Sequence, residues 1–205
     1  MYTAIVIDDH PAIRIAVRSI LESSERFKVV GEAEDGPAGL DLIRQLRPDL
    51  AIADLELPKL SGLQLAERVR ANYPEVRVLI FSAQEESIFA SRAMQAGANG
   101  YVSKLHDMST LLQAARSVLT GYSVFPTPQL HPACNTGEDL VKLLSDREVM
   151  VAQYLARGMS NKEIADTMLL SNKTVSGYKA RIFTKLNIGT LVELVDFARA
   201  NKLVV

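Results

Sequence analysis

The chain has 205 residues, 48% of them apolar, and a net charge of -1 at neutral pH, which is long enough for two domains with packed cores. Its single cysteine, Cys134, excludes an internal disulfide and a thiolate metal cluster and fits a reducing compartment. No basic leader runs into an apolar signal core and no apolar stretch is long enough to span a bilayer, so a soluble, cytoplasmic protein with no membrane partner is expected.

In chain order, Ala4 to Ile7 is a short apolar run that ends in Asp8-Asp9-His10-Pro11. Pro11 suits the first turn of a helix, along which Ile13, Val17, Ile20 and Leu21 recur at helical spacing. A second strand is expected over Phe27 to Ala33 and a second helix over Gly36 to Leu46, ended by Arg47-Pro48. The run Leu50 to Pro58 opens with Leu-Ala-Ile-Ala, apolar without alternation, as in a strand covered on both faces, and delivers Asp54 to the point where the strand stops. The next helix spans Leu63 to Ala71, before Pro74. Val76 to Phe81 gives a fourth strand ending at Ser82, and a helix over Glu86 to Ala96 is closed by Gly97. Gly100 to Ser103 gives a fifth strand ending at Lys104, and Met108 to Leu119 a fifth helix. Five strands alternating with helices imply a parallel sheet with right-handed crossovers.

In a flavodoxin-like strand order, the ends of strands one, three, four and five place Asp8, Asp9, Asp54, Ser82 and Lys104 around one crevice. Each residue has a bland reading: Asp54 and the Asp8-Asp9 pair as turn residues, Lys104 as a surface lysine, Ser82 as a strand-end hydroxyl. Together they have a chemistry. Three neighbouring carboxylates repel one another and invite a hard divalent cation such as Mg2+, which takes oxygen ligands and works beside phosphate. Asp54 can then attack phosphorus and become an acyl phosphate, with Lys104 pairing with the phosphoryl oxygens and Ser82 donating a hydrogen bond to one of them.

On Asp8-Asp9 after the first strand, Asp54 with Pro58 and Gly62 downstream, Ser82, and Gly100-Tyr101-Val102-Ser103-Lys104, residues 1 to 122 resemble the receiver domain of bacterial response regulators. The resemblance implies that a sensor histidine kinase phosphorylates Asp54. It also implies that Asp8, Asp9, Asp54 and the backbone carbonyl of Glu56 hold Mg2+. Ser82 and Tyr101 would form a switch pair, the hydroxyl moving toward the phosphoryl group and the ring filling the vacated space. Threonine is commoner than serine at the position of Ser82, and serine keeps the hydroxyl.

Residues 123 to 139, with Pro126, Pro128, Pro132 and Gly137, read as a linker. The charge divides there: residues 1 to 137 carry -3 and residues 138 to 205 carry +2. No acid occurs from Thr167 to Val192, where Lys173, Lys179, Arg181 and Lys185 fall. Three helix starts have a hydroxyl followed three residues later by glutamate: Ser145 with Glu148, Ser160 with Glu163, and Thr190 with Glu193. The first helix ends at Gly158, and the others are expected over Asn161 to Met168, Asn172 to Leu186 and Leu191 to about Asn201. Ile164, Ala165, Met168, Val175, Ile182, Phe183, Leu186, Leu194, Val195 and Ala198 are the expected core. A helix, a short turn and a basic helix suit a helix-turn-helix DNA reader, and equally an ordinary helical hairpin with a wet basic face.

The residues Ser145-Asp146-Arg147-Glu148, Gly158 to Ala165, Ser171 to Val175 and Lys185-Leu186 are similar to the LuxR-type domain of the NarL/FixJ response regulators, over residues 140 to 205. The full chain resembles the BvgA/EvgA branch of that family, which governs virulence or stress genes. The resemblance implies that Asn172 to Leu186 enters the major groove of promoter DNA, with Asn172, Lys173, Thr174, Lys179 and Lys185 at the interface and Lys173, Lys179 and Lys185 on phosphates. Family base contacts fall at Ser176, Gly177 and Ala180, whose small side chains cannot make bidentate contacts with guanine, so shape or close backbone approach is expected to supply much of the discrimination. The last helix, through Val192 and Val195, corresponds to the family's dimer contact, giving a homodimer; RNA polymerase is a further expected partner.

The expected function is a two-domain response regulator and transcription regulator, not an enzyme, whose promoter binding and dimerisation follow phosphorylation of Asp54. Two other readings stand beside it. One is a DNA-binding regulator independent of phosphorylation. The other is a small phosphatase with Asp54 as nucleophile, disfavoured because Asp54-Leu55-Glu56 offers no aspartate two residues on as general acid.

Overall fold

A computed structural model describes residues 1–126, 140, 141, 143–201, 203 and 204. The chain divides into two compact units, Met1–Pro128 and Gln129–Val205. Most of the expected linker, including Pro128, Pro132, Cys134 and Gly137, lies outside the described residues.

The first unit alternates strictly: β1 Tyr2–Ile7, α1 Pro11–Glu22, β2 Phe27–Ala33, α2 Gly36–Leu46, β3 Leu50–Ala53, α3 Gly62–Asn72, β4 Arg77–Ser82, α4 Glu86–Ala96, β5 Gly100–Ser103 and α5 Met108–Leu119. All strand pairs are parallel, in the order β2-β1-β3-β4-β5. Every residue of β3 is buried, which is what its unbroken apolar run demands of a central strand. Ala4, Val6, Leu50, Ile52, Leu79, Phe81 and Val102 pack with Val17 and Leu21 of α1 and Leu111, Ala115 and Val118 of α5, while α2, α3 and α4 cover the other face. The chain turns at the ends it signals. Asp35 caps α2 by accepting from Ala38 N, Ser61 and Gln64 form a capping box on α3, and Gly97 closes α4 at φ +91.

The sheet runs past the expected limit of the unit at residue 122. Val124 bridges to Gly100, its carbonyl accepting from Tyr101 N at 2.8 Å and its N donating to Asn99 O at 3.0 Å. The segment expected to be linker from residue 123 thus begins as cover for the free edge of β5.

In the second unit α6 Asp146–Ala156, α7 Asn161–Thr167, α8 Asn172–Leu186 and α9 Leu191–Ala200 pack around α6 and α8. Ile164, Ala165, Met168, Val175, Ile182, Leu186, Leu194 and Ala198 are buried, and Phe183 and Val195 half-buried. Capping boxes form at Ser145 and Ser160. At Thr190 only half of one forms: Thr190 accepts from Glu193 N at 3.2 Å, but Glu193 Oε2 takes the backbone N–H of Gly189 at 2.8 Å. The turn between α7 and α8 sets Leu169 at φ +52, and Gly158 ends α6 at φ +85.

Candidate functional site

Parallel pairing brings the carboxyl ends of β1, β3, β4 and β5 level: Ile7 lies beside Ala53, Ala53 beside Ile80, and Ser82 beside Ser103. Asp8, Asp54 and Lys104 follow directly from these ends. Asp54 is 6% exposed. Its backbone N donates to Ile7 O at 2.9 Å, and its Oδ1 accepts from Leu55 N at 2.6 Å. Gly62 is required beneath it, because a Cβ there would collide with the carbonyl oxygen of Asp54.

Lys104 Nζ lies 2.9 Å from Asp54 Oδ2 and 2.7 Å from Asp8 Oδ2. Burial pulls the Lys104 ammonium toward neutrality, but the charge of Asp54 and the bonds to both carboxylates outweigh it and raise its pKa, so it stays protonated at neutral pH. Asp8, Asp9, His10 and Asp54 each offer a ligand atom, all within 4.8 Å of one another. Asp9 Oδ1 is buried and has no hydrogen-bond partner, although His10 Nδ1 stands 2.6 Å away out of alignment. An orphaned carboxylate oxygen among three acids fits a hard divalent cation: this acidic cluster is compatible with Mg2+.

Ser82 is buried, and its hydroxyl accepts from Gln84 N at 3.3 Å. Tyr101 is 2% exposed and donates through its hydroxyl to Gln84 O at 2.8 Å. Burial pushes the Tyr101 phenol far above its ordinary pKa, against a smaller lowering by Ser82, so it remains a donor. The side chain of Gln84 donates to Glu56 Oε2 at 2.7 Å, bridging the loops after β3 and β4. Gln84 and His10 join this site without having been expected there from the sequence. No motif marks Gln84, whereas His10 stood in view beside Asp8-Asp9 as one more turn residue.

In the second unit Asn172, Lys173, Thr174, Ser176 and Ala180 are exposed on α8, and Gly177 and Lys179 half-exposed. The N-terminus of α8 is capped by Ser171, which accepts from Thr174 N at 3.0 Å. Ser176 Oγ accepts from Asn161 Nδ2 of α7 at 3.1 Å, and Lys179 Nζ lies 5.5 Å from the centre of the Phe183 ring. Lys185, expected on a phosphate, has its Nζ 2.6 Å from Oε2 of the buried Glu148 on α6. Arg181 Nε reaches Oε1 of the same carboxylate at 3.3 Å. Burial alone would raise the Glu148 pKa, but the bonds from Lys185 and Ser145 overcome it and hold the group below the ordinary carboxylate range. Val192 on α9 is 69% exposed, whereas Val195 is half-buried against the core. No helix among the described residues is long and apolar enough to cross a membrane.

Residues 4–116 match the family model of the response regulator receiver domain, and residues 142–198 that of bacterial regulatory proteins of the luxR family. A putative transcriptional regulator of Pseudomonas aeruginosa is 45% identical over 208 residues, covering 100% of both chains. The virulence factors putative positive transcription regulator BvgA of Bordetella pertussis is 43% identical over 209 residues, covering 99% of this chain and 100% of its own. The solved structure of the Salmonella typhimurium response regulator RcsB shares the fold across 97% of each chain, with a TM-score of 0.69 at 24% identity.

Proposed function

The chain belongs to the NarL/FixJ family of two-component response regulators, a receiver domain joined to a LuxR-type DNA-binding domain, and we propose that Asp54 is its phosphoacceptor. One observation carries this reading: a buried carboxylate at the end of β3, oriented by Leu55 N and Lys104, with Asp8 and Asp9 beside it. Asp8, Asp9, Asp54 and the Glu56 carbonyl would hold Mg2+, which supplies charge neutralisation for an incoming phosphoryl group. Asp54 Oδ2 attacks phosphorus and forms a P–O bond as the P–N bond of the donor's phosphohistidine breaks, the bonding pair and a proton staying with the departing imidazole. Lys104 exchanges its contact with Asp54 for the phosphoryl oxygens, and Ser82 donates its hydroxyl proton to one of them. Tyr101 is the second half of the switch. The donor is a sensor histidine kinase, and the protein acts in the cytoplasm as a stoichiometric acceptor, not a turnover catalyst.

The receiver comprises residues 1–122 together with the Val124 bridge, and residues 140–205 form the DNA-binding domain. Its α8 reads promoter DNA, with Lys173 and Lys179 on phosphates, Asn172 and Thr174 at the helix start, and Ser176, Gly177 and Ala180 toward the bases. Phosphorylation favours a homodimer with Val192 and the edge of Val195 at the contact, and RNA polymerase is the partner downstream. The test is intact mass and selection from random DNA pools, with and without a small phosphodonor and Mg2+, on wild type and Asp54→Ala. A phosphate adduct lost in the variant, with tighter and more selective DNA binding in wild type, is expected. DNA binding indifferent to donor and variant would favour regulation without phosphorylation.

A further inference from the structure

The acid-free stretch from Thr167 to Val192 presents four cations in sequence, Lys173, Lys179, Arg181 and Lys185. In the fold they are not equivalent. Lys173 is exposed near the start of α8 and makes no ion pair with another described residue. Arg181 and Lys185 stand one helical turn apart and share a single carboxylate, Glu148, which is 2% exposed. Glu148 Oε2 also accepts from Ser145 N at 2.8 Å and Ser145 Oγ at 2.9 Å. One side chain therefore closes the capping box at the start of α6 and ties that helix end to the recognition helix. The Arg181 guanidinium is further held over the Tyr178 ring, 4.6 Å from its centre.

Resting on the DNA-binding reading of α8, we propose that Glu148 is a positioning residue for DNA recognition: it fixes the register of α8 against α6 and withholds Lys185 and Arg181 from the phosphate backbone. For either cation to reach a phosphate it must leave Glu148 buried and short of its partner, and an exposed phosphate contact does not offset that loss. The protein consequently neutralises fewer phosphates than its count of basic residues suggests. Because such contacts carry no sequence information, the device limits binding to arbitrary DNA, while the anchored register of α8 serves the choice of site.

The full-length protein, treated with phosphodonor, tests this by titration with a labelled random-sequence duplex over a range of salt, and by selection from a random pool. Glu148→Gln keeps an acceptor for the capping box while removing the charge. Its salt dependence should steepen by about 0.9 in log-log slope for each cation released, so that going from 50 to 200 mM salt costs about 3.5-fold more affinity per cation than in wild type. The sequences it selects should carry less information. Lys185→Met should keep the wild-type slope, whereas Lys173→Met should lose about 0.9. An unchanged or shallower slope in Glu148→Gln overturns the proposal, as does a Lys185→Met slope that falls as far as that of Lys173→Met. Should Glu148→Gln fail to fold by circular dichroism, the two lysine variants decide alone. Wild-type protein whose binding to the duplex has no salt dependence would instead sink the placement of α8 on DNA, and the proposal with it.

Discussion

Replacing Gly177 with alanine should make the second unit more stable. Gly177 lies in the interior of α8 and is not among the glycines with positive φ, so its backbone asks for nothing that only glycine can supply. A Cβ built there meets one atom within 4 Å, Arg181 Nη1 at 3.8 Å, which is ordinary van der Waals contact. With no steric cost, what remains is the conformational freedom that glycine keeps in the unfolded chain and alanine does not, worth about 1 kcal/mol in a helix interior. For a unit of this size the gain is roughly 4 to 8 °C in Tm. Calorimetry of the full chain, following the transition of the helical unit, reads it directly. An unchanged or lowered midpoint would refute the open environment assigned to this position. The same sample answers a second question. If glycine is present so that the helix backbone can approach the bases closely, the alanine variant binds its selected DNA more weakly although it is more stable; equal binding would move Gly177 away from the groove.

Leu169 is 69% exposed at φ +52, a backbone conformation that costs a leucine about 1 kcal/mol and asparagine much less, so Leu169→Asn should raise the same midpoint by a comparable amount. Its failure to do so would mean that the side chain has a compensating contact. The pKa of Glu148 is depressed in the folded state below its ordinary value of 4.5, so its contribution is present above that pH and lost as pH falls through the folded value. Urea unfolding between pH 3 and 6 should therefore show a steeper acid loss in wild type than in Glu148→Gln; parallel curves would contradict the ion pairing with Lys185. Val192→Asp places a charge on a 69% exposed side chain, so it should leave thermal stability within about 0.5 kcal/mol while abolishing phosphodonor-dependent dimers in sedimentation. Loss of stability instead would assign Val192 to the core.

Features carried by neighbouring residues were legible in the sequence, and features made by distant ones were not. The four apolar residues of β3 announce a strand covered on both faces, and the residue after them is the buried Asp54. Pro11 marks a helix start because its ring fixes φ, and Gly97 and Gly158 mark helix ends because they take positive φ without a Cβ penalty. Val124 gave no such signal: a single bridged residue ahead of Pro126 has no period to display. Glu148 read correctly as the end of a capping box, yet its larger role comes from cations 33 and 37 positions away, brought near only when α8 crosses α6. Gln84 is of the same kind, since its bond to Glu56 spans 28 positions between two loops. At Thr190 the sequence pattern was right in type and shifted by one residue in detail, because the approach to α9 turns the Gly189 N–H toward the Glu193 carboxylate.

The charge balance of the first site makes its own demand. Asp8, Asp9 and Asp54 bring three carboxylates within 4.8 Å of one another, and Lys104 is the cation that pairs with two of them. Two negative charges remain unbalanced at separations where a like pair costs roughly 4 kcal/mol at an effective dielectric near 20. A phosphoryl donor adds further negative charge at the same place. Without a divalent cation Asp54 should therefore stay unmodified when a small phosphodonor is supplied in chelator, and adduct formation at an equal rate there would refute the charge argument. Lys104→Met removes the partner of two buried carboxylates, so the cation-free variant should lose about 3 kcal/mol of receiver stability. Added Mg2+ should restore part of it, by neutralising the same acids. A variant as stable as wild type in chelator would mean that the contacts of Lys104 with Asp8 and Asp54 add nothing to receiver stability, and would refute the ion-pair argument.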